Sequence, residues 1–189
     1  MMISLSKCSR GSRNCMDDIK VVTRGNYYLT PFNQDHIPEV LNTLTKESRY
    51  DLKCLGYTDV SEAMDSVIDE SECYVAKSNN GPIICISGLF FAEDWESPQM
   101  FALFTNHAKK NFHVMARGSK MVVDFFDLSY PSMSMSILDE FSIMLNWAAW
   151  LGFEPVGFSQ HLNNNYVEFV RCNPKEKNVS HKLSRPVMH

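Results

Sequence analysis

The chain has 189 residues, 44% apolar and 12% aromatic, with a formal net charge of −4. That composition supports one domain with a sizeable core, and no stretch reaches the roughly 18 uninterrupted apolar residues of a membrane span. The basic start, with Lys7, Arg10 and Arg13, is followed by no apolar run of the kind a secretory signal needs, so a soluble protein is expected.

Along the chain, Asn26–Thr30 reads as a first strand stopped by Pro31. Ile37, Val40, Leu41 and Leu44 recur at helical spacing behind Asn33 or Asp35 as cap, with Pro38 in the first turn. A short helical piece around Tyr50–Leu55 stops at Gly56; Asp59 and Glu62 then open a helix whose Val60, Ala63, Met64, Val67 and Ile68 share a face. Cys73–Lys77 and Ile83–Phe91 are β-rich runs joined through Asn80-Gly81, a hairpin signal, and Gly88 suggests a bulge or a close backbone approach. Past an acidic loop with Glu93, Asp94, Trp95 and Glu96, Met100–Thr105 is a strand. A helix of about six turns is expected from Asn106, with Ala108, Phe112, Met115, Ser119, Val122 and Phe126 on one side, ending by Pro131. Met133, Met135 and Ile137 alternate with serines as a one-faced strand. A further helix carries Phe141, Met144, Leu145, Ala148 and Leu151 and closes at Gly152. Pro155–Gln160 and Tyr166–Cys172 form a last hairpin.

Charge divides the chain. Residues 1–16 and residues 173–189 each carry +3, which leaves about −10 on the body. Such a body repels phosphates, and the tails are too sparse to build a reading surface, so sequence-specific nucleic-acid binding is excluded. The tails read as flexible basic termini around a single domain at residues 17–172. Cys8, Cys15, Cys54, Cys73, Cys85 and Cys172 lack any C-x-x-C pair and read as reduced thiols. The six histidines form no ligand cluster, so no metal site is expected. The acidic loop reads as solvated surface, Trp147 and Trp150 as one helix face in the core or a protein contact, and the methionines as core filling. The serines of SMSMS lack the glycines of a nucleophile elbow.

From Asn26 to Cys172 this element order resembles the acyl-CoA-dependent N-acetyltransferase (GNAT) fold, an α/β (mixed α+β) domain with a mixed central sheet and helices on both faces. FALFTNHAKKNFHVMARGSK and MLNWAAWLGFEPVGF are further similar to the internal virion protein A family of short-tailed (podovirus) bacteriophages. The GNAT resemblance implies that backbone N–H groups of a (Gln/Arg)-x-x-Gly-x-(Gly/Ala) turn hold the coenzyme diphosphate at the start of the long helix. Here the turn is Thr105, Asn106, His107, Ala108, Lys109 and Lys110, without glycine, so the backbone approaches a phosphate less closely. Lys109 and Lys110 still offer point charges, and these six residues are the candidate cofactor site if acyl-CoA binds.

The resemblance also implies a tyrosine four residues before the Leu-Gly-Phe glycine, to protonate the leaving thiolate, and an asparagine near the start of the same helix. Those positions hold Ala148 and Phe141, and Asn146 is displaced by more than a turn. No catalytic residue is therefore assigned. The expectation drawn is a phage accessory protein, acting through contacts with virion or host proteins in assembly or genome ejection, on a non-catalytic scaffold without a cofactor. Its expected location is the host cytoplasm or the virion. The alternative is a divergent acetyl-CoA-dependent N-acetyltransferase modifying a host or phage amine.

Overall fold

Alternating burial and turn-forming residues build an eight-stranded sheet in which every strand but one pair runs antiparallel to its neighbour. The computed structural model describes residues 20–79, 81–92, 97–110 and 112–173, apart from the side chains of Lys110, Phe112 and Val114. Both expected tails, save Asn173, lie outside the described residues, as do Asn80 and the acidic loop from Glu93 to Glu96.

Strand β1 (Val22–Arg24) turns at Gly25, at φ +62, into β2 (Tyr27–Pro31). Three residues carry too little alternation to announce β1 in the sequence. Asn33 then starts a single 3₁₀ turn and helix α1 (Ile37–Thr43). Its side chain accepts the Asp35 N–H at 3.0 Å, while His36 Nδ1 accepts the Asn33 N–H at 3.2 Å. Helix α2 (Lys46–Cys54) starts a full turn earlier than expected, because the Thr45 hydroxyl accepts the Ser48 N–H at 3.1 Å as its cap. Asp59 caps α3 (Val60–Glu70).

Strands β3 (Ser71–Ser78), β4 (Ile83–Phe90) and β5 (Gln99–Phe104) form the expected antiparallel meander. The helical stretch that follows comprises α4 (Asn106–Lys110) and α5 (Phe112–Phe126). Strand β6 (Ser132–Leu138), helix α6 (Ser142–Trp150) and the hairpin β7 (Glu154–His161) with β8 (Asn164–Cys172) complete the domain. The hairpin turns on Leu162 and Asn163, both at positive φ, so a tight turn forms here without glycine. Sheet order is β1-β2-β3-β4-β5-β6-β8-β7, and only β5 and β6 run parallel.

Helices cover both faces. On one, α1–α3 bury Val40, Leu52, Met64 and Val67 against Val75, Ile86 and Leu103. On the other, α5 and α6 pack Val122, Phe126, Trp147 and Leu151 on Leu89, Met133, Met135 and Phe169. The alternation in β6 is realised here, with Met133 and Met135 buried between half-exposed serines. Trp147 and Trp150 do not share an environment as the sequence suggested, since Trp147 is buried and Trp150 is 58% exposed.

Gly88 marks a close approach rather than a bulge. The register shift between β3 and β4 falls at Ala76/Lys77, whereas a Cβ on Gly88 would stand 2.6 Å from the Glu72 carbonyl oxygen and 2.7 Å from the Phe101 ring. A backbone oxygen cannot rotate away, so Gly88→Ala should destabilise the protein by about 1–3 kcal/mol. Urea unfolding of the two proteins would read the difference as a lower midpoint at unchanged slope.

Candidate active site

The parallel pair is where the sheet opens. β5 is laddered to β4 from Gln99 through to Phe104, and β6 to β8 from Ser132 through to Leu138, yet β5 meets β6 only at Gln99 opposite Ser134. The rest of β5, about 17 Å at 3.3 Å per residue, has no strand beside it on that edge. The closed end is pinned by side chains: Gln99 Nε2 donates to Ser136 Oγ at 2.7 Å, Ser136 Oγ donates to Glu168 Oε2 at 2.7 Å, and Ser159 Oγ donates to Glu168 Oε1.

Backbone direction along β5 follows from its bonds. Phe101 C=O accepts the Ser87 hydroxyl of β4 and Thr105 N–H donates to Ile84 C=O, so these odd-numbered residues point at β4. Phe104 points the other way, its N–H donated to Ser48 Oγ at 2.9 Å and its C=O accepting Thr45 N–H at 2.9 Å. By the two-residue period of a strand, Ala102 directs its N–H and C=O into the gap, where no ladder partner stands.

That gap widens into a cavity of about 670 Å³. Its walls are largely apolar, with Leu52, Phe101, Met115, Met135, Leu138 and Ile143 among them, and three carboxylates, Glu47, Asp51 and Glu140, also line it. Stitching of the α2 N-terminus to the end of β5 through Thr45 and Ser48 is what sets Asp51, one turn further on, in the wall. Burial alone lifts the Asp51 carboxyl from its ordinary 3.8 to about 6. At the rim Lys109 Nζ lies 2.5 Å from Glu47 Oε2, and that bond holds Glu47 below the usual carboxylate range.

Two residues of the wall each carry a sealed polar atom that is unsatisfied. Among the described residues, neither Trp147 Nε1 nor the Tyr166 hydroxyl has a hydrogen-bond partner, although Trp147 is 6% and Tyr166 3% exposed, and both residues line the cavity. Burial, with smaller contributions from Asp51, Cys54 and Tyr50, pushes the Tyr166 phenol up to about 12.

Of the six residues expected at a coenzyme diphosphate, Ala108 and Lys109 line the cavity. Thr105 is fully buried, its hydroxyl donating to Ile83 C=O at 2.6 Å and accepting the His107 N–H at 3.3 Å. Ala108 N–H is likewise returned to Thr105 C=O at 3.0 Å, and Ala108 is buried. Asn106 is exposed and His107 half-buried; Lys109 points to the rim beside Glu47, and the Lys110 side chain is outside the described residues. Ala148 sits in the core, Phe141 packs its ring against Tyr50 at 6.0 Å, and Asn146 faces solvent. Asp51, Trp147 and Tyr166 are the functional candidates that the sequence reading did not single out for this site. Tyr166 had shown only as the first residue of a strand.

No family model matches the chain, and no curated protein matches it. Solved structures do. The ribosomal-protein-S5-alanine acetyltransferase of Vibrio fischeri superposes with a TM-score of 0.61 at 11% identity, covering 83% of this chain and 98% of that one. Spermidine N-acetyltransferase of Vibrio cholerae, solved with CoA and spermine, gives 0.61 at 12% identity, over 82% of this chain and 100% of that one. A Bordetella pertussis protein assigned to the GNAT acetyltransferases gives 0.62 at 12% identity, over 85% and 100%. The fold is GNAT-like, a mixed sheet with helices on both faces, as the element order implied.

These matches correct the reading of the chain as a non-catalytic phage scaffold without a cofactor. The three solved structures named above are acetyltransferases, one of them holding CoA, and they favour the alternative reading. The physical reason lies in the splayed pair: a scaffold for surface contacts needs no unfilled cavity bordered by unpaired backbone. The likeness to the internal virion protein A family rests on the two quoted stretches alone. No described helix is long and apolar enough to cross a membrane.

Proposed function

We propose that the chain is an acyl-CoA-dependent N-acyltransferase of GNAT type that transfers an acetyl group to a cationic amine. The observation that carries this is the parallel pair held at Gln99 and Ser134 and parted beyond, with the Ala102 backbone directed into a 670 Å³ cavity. Coenzyme A bears its thioester on an extended, amide-containing arm, and such an arm bonds to a free strand edge as an added strand does. Ala102 supplies that edge.

The diphosphate end fits less closely. The amides of His107 and Ala108 are turned back to Thr105, which leaves Lys109 and Lys110 as point charges in place of a glycine cradle. Bound acetyl-CoA supplies an activated acyl group; the residues of this chain bind it, orient the amine and move protons. Asp51 and Glu140, the lining carboxylates that Lys109 does not pair, give the cavity a negative wall that favours a cationic acceptor over a neutral one. Asp51 is the proton acceptor for the ammonium, since burial brings its carboxyl near the working pH.

Titration calorimetry with acetyl-CoA, paired with mass spectrometry of spermine, butylamine and an alanyl peptide incubated with it, tests the reading. A dissociation constant below about 100 μM, or about 5.5 kcal/mol of binding, together with an acetylated amine is the expected result. Absence of both binding and transfer would remove it.

A further inference from the structure

Helix α2 lines the cavity along two rows of residues four apart, Glu47–Asp51–Leu55 and Ser48–Leu52, and the character of those rows changes along the helix. The first turn is polar and committed. Ser48 Oγ accepts the Phe104 N–H at 2.9 Å, and Glu47 is held by Lys109. Asp51, one turn further in, is lifted by burial, and among the described residues no hydrogen bond or counter-charge offsets it. Beyond Asp51 the wall is hydrocarbon. Leu52 and Val67 are buried, and the half-buried rings of Phe90 and Phe101 stand 4.9 Å apart beside them on the same face of the sheet. Tyr57 adds a ring whose hydroxyl is engaged with that of Ser66 at 3.1 Å, and Leu55, 44% exposed, borders solvent. Glu140 lines the cavity ahead of α6 but is exposed, where water screens its charge.

We propose that the acceptor is a single-charged amine carrying an aromatic or branched apolar group on a short carbon spacer, its ammonium at Asp51 and its apolar group against Leu52, Leu55, Phe90 and Phe101. The proposal rests on the acyltransferase reading of the cleft and adds the substrate class to it. One sunken carboxylate pairs one ammonium. A second cation further along would lose its water to a hydrocarbon wall that has nothing to pair it, so polyamines are poor acceptors. Side chains one helical turn apart stand about 5–6 Å from each other, so a spacer of about two or three carbons carries the apolar group from Asp51 to the level of Leu55. Leu55 is thereby the residue that sets the choice between an apolar tail and a second charge.

Transfer rates to 2-phenylethylamine, butane-1,4-diamine and spermine, measured with acetyl-CoA and with octanoyl-CoA, test the assignment. With acetyl-CoA, kcat/KM for 2-phenylethylamine should exceed that for either polyamine by about 10²-fold. Leu55→Asp sets a second carboxylate one turn from Asp51 at a position open to water. It should raise kcat/KM for the diamine by about tenfold and lower that for 2-phenylethylamine by a similar factor. Leu55→Asn, of the same shape without the charge, should lower the 2-phenylethylamine rate alike and leave the diamine rate unchanged. A merely loosened fold would raise neither. Wild type that acetylates the polyamines as fast as 2-phenylethylamine, with the ratio unmoved in Leu55→Asp, overturns the assignment and leaves the acyltransferase reading intact. A preference for octanoyl-CoA with no discrimination among the amines gives the apolar wall to the acyl chain and overturns it too. If the protein neither binds acetyl-CoA nor acetylates any amine, the acyltransferase reading itself fails and the acceptor falls with it.

Discussion

Asp51→Asn is expected to slow acetyl transfer by about 10²- to 10⁴-fold at pH 7.5 while making the protein more stable at that pH. The two effects have one cause. Asp51 is lifted from 3.8 to about 6 by burial, so the folded chain binds a proton between pH 4 and 6 that the unfolded chain has released. Stability from this group is therefore full below about pH 4, declines as pH rises through about 6, and stays at the lower level above. Asparagine carries no charge to desolvate and removes that decline. The same carboxyl must be ionised to accept a proton, so wild-type kcat/KM should rise with pH to a plateau above about 6, and the residual rate of the variant should lack that limb. Thermal midpoints of both proteins at pH 3.5 and 8, set beside the two rate profiles, check this. A variant less stable than wild type at pH 8, or as fast, would contradict it.

The second large effect concerns what holds the open sheet in shape. Arg171, 5% exposed on β8, donates from Nη2 to Asp127 Oδ2 at 2.6 Å and from Nε to Oδ1 at 3.2 Å, while Nη1 donates to the Leu151 carbonyl at 2.6 Å. One guanidinium thus ties the segment after α5, the end of α6 and β8 together beneath the face that α5 and α6 cover. Arg171→Met keeps most of the stem and leaves the Asp127 carboxylate, 11% exposed, without its counter-charge. The expected cost is about 3–5 kcal/mol, the penalty of a buried charge stripped of its partner. Arg171→Met with Asp127→Asn should recover a large part, because the orphaned charge is gone. Urea midpoints for wild type, the two single variants and the pair complete the cycle. By comparison, loss of the rim pair Lys109–Glu47, half exposed on both sides, should cost no more than about 1 kcal/mol.

Local chemistry made much of this fold readable. Asp59 caps α3 as expected, Asn33 caps the 3₁₀ turn ahead of α1 rather than α1 itself, Gly152 closes α6 at φ +88, and the Met/Ser alternation of β6 became one buried face. Failures followed weak local signals. The first turn of α2, Lys46-Glu47-Ser48-Arg49, is polar and shows no stripe; only the stitch of Thr45 and Ser48 to the end of β5 reveals why it is helical. Leu162 and Asn163 make a turn that sequence rules reserve mainly for glycine.

The site was harder still to read. Whether two parallel strands stay paired beyond Gln99 depends on what fills the space between them, and no residue in either strand encodes that alone. Asp51 and Tyr166 reach the same cavity from α2 and β8, which lie far apart in the chain. The expectation of a non-catalytic scaffold rests on the turn without glycine from Thr105 to Lys110 and on Ala148 in α6, and both are local features of the chain. A cavity walled by residues of several elements is made by tertiary packing, which motif spacing does not record.

An experimental structure of the protein grown with acetyl-CoA bears most directly on the splayed pair. The expected map has the acyl-bearing arm along β5, bonded to the Ala102 backbone. Strands β5 and β6 zipped together along their length, or the coenzyme lodged elsewhere on the molecule, would contradict it.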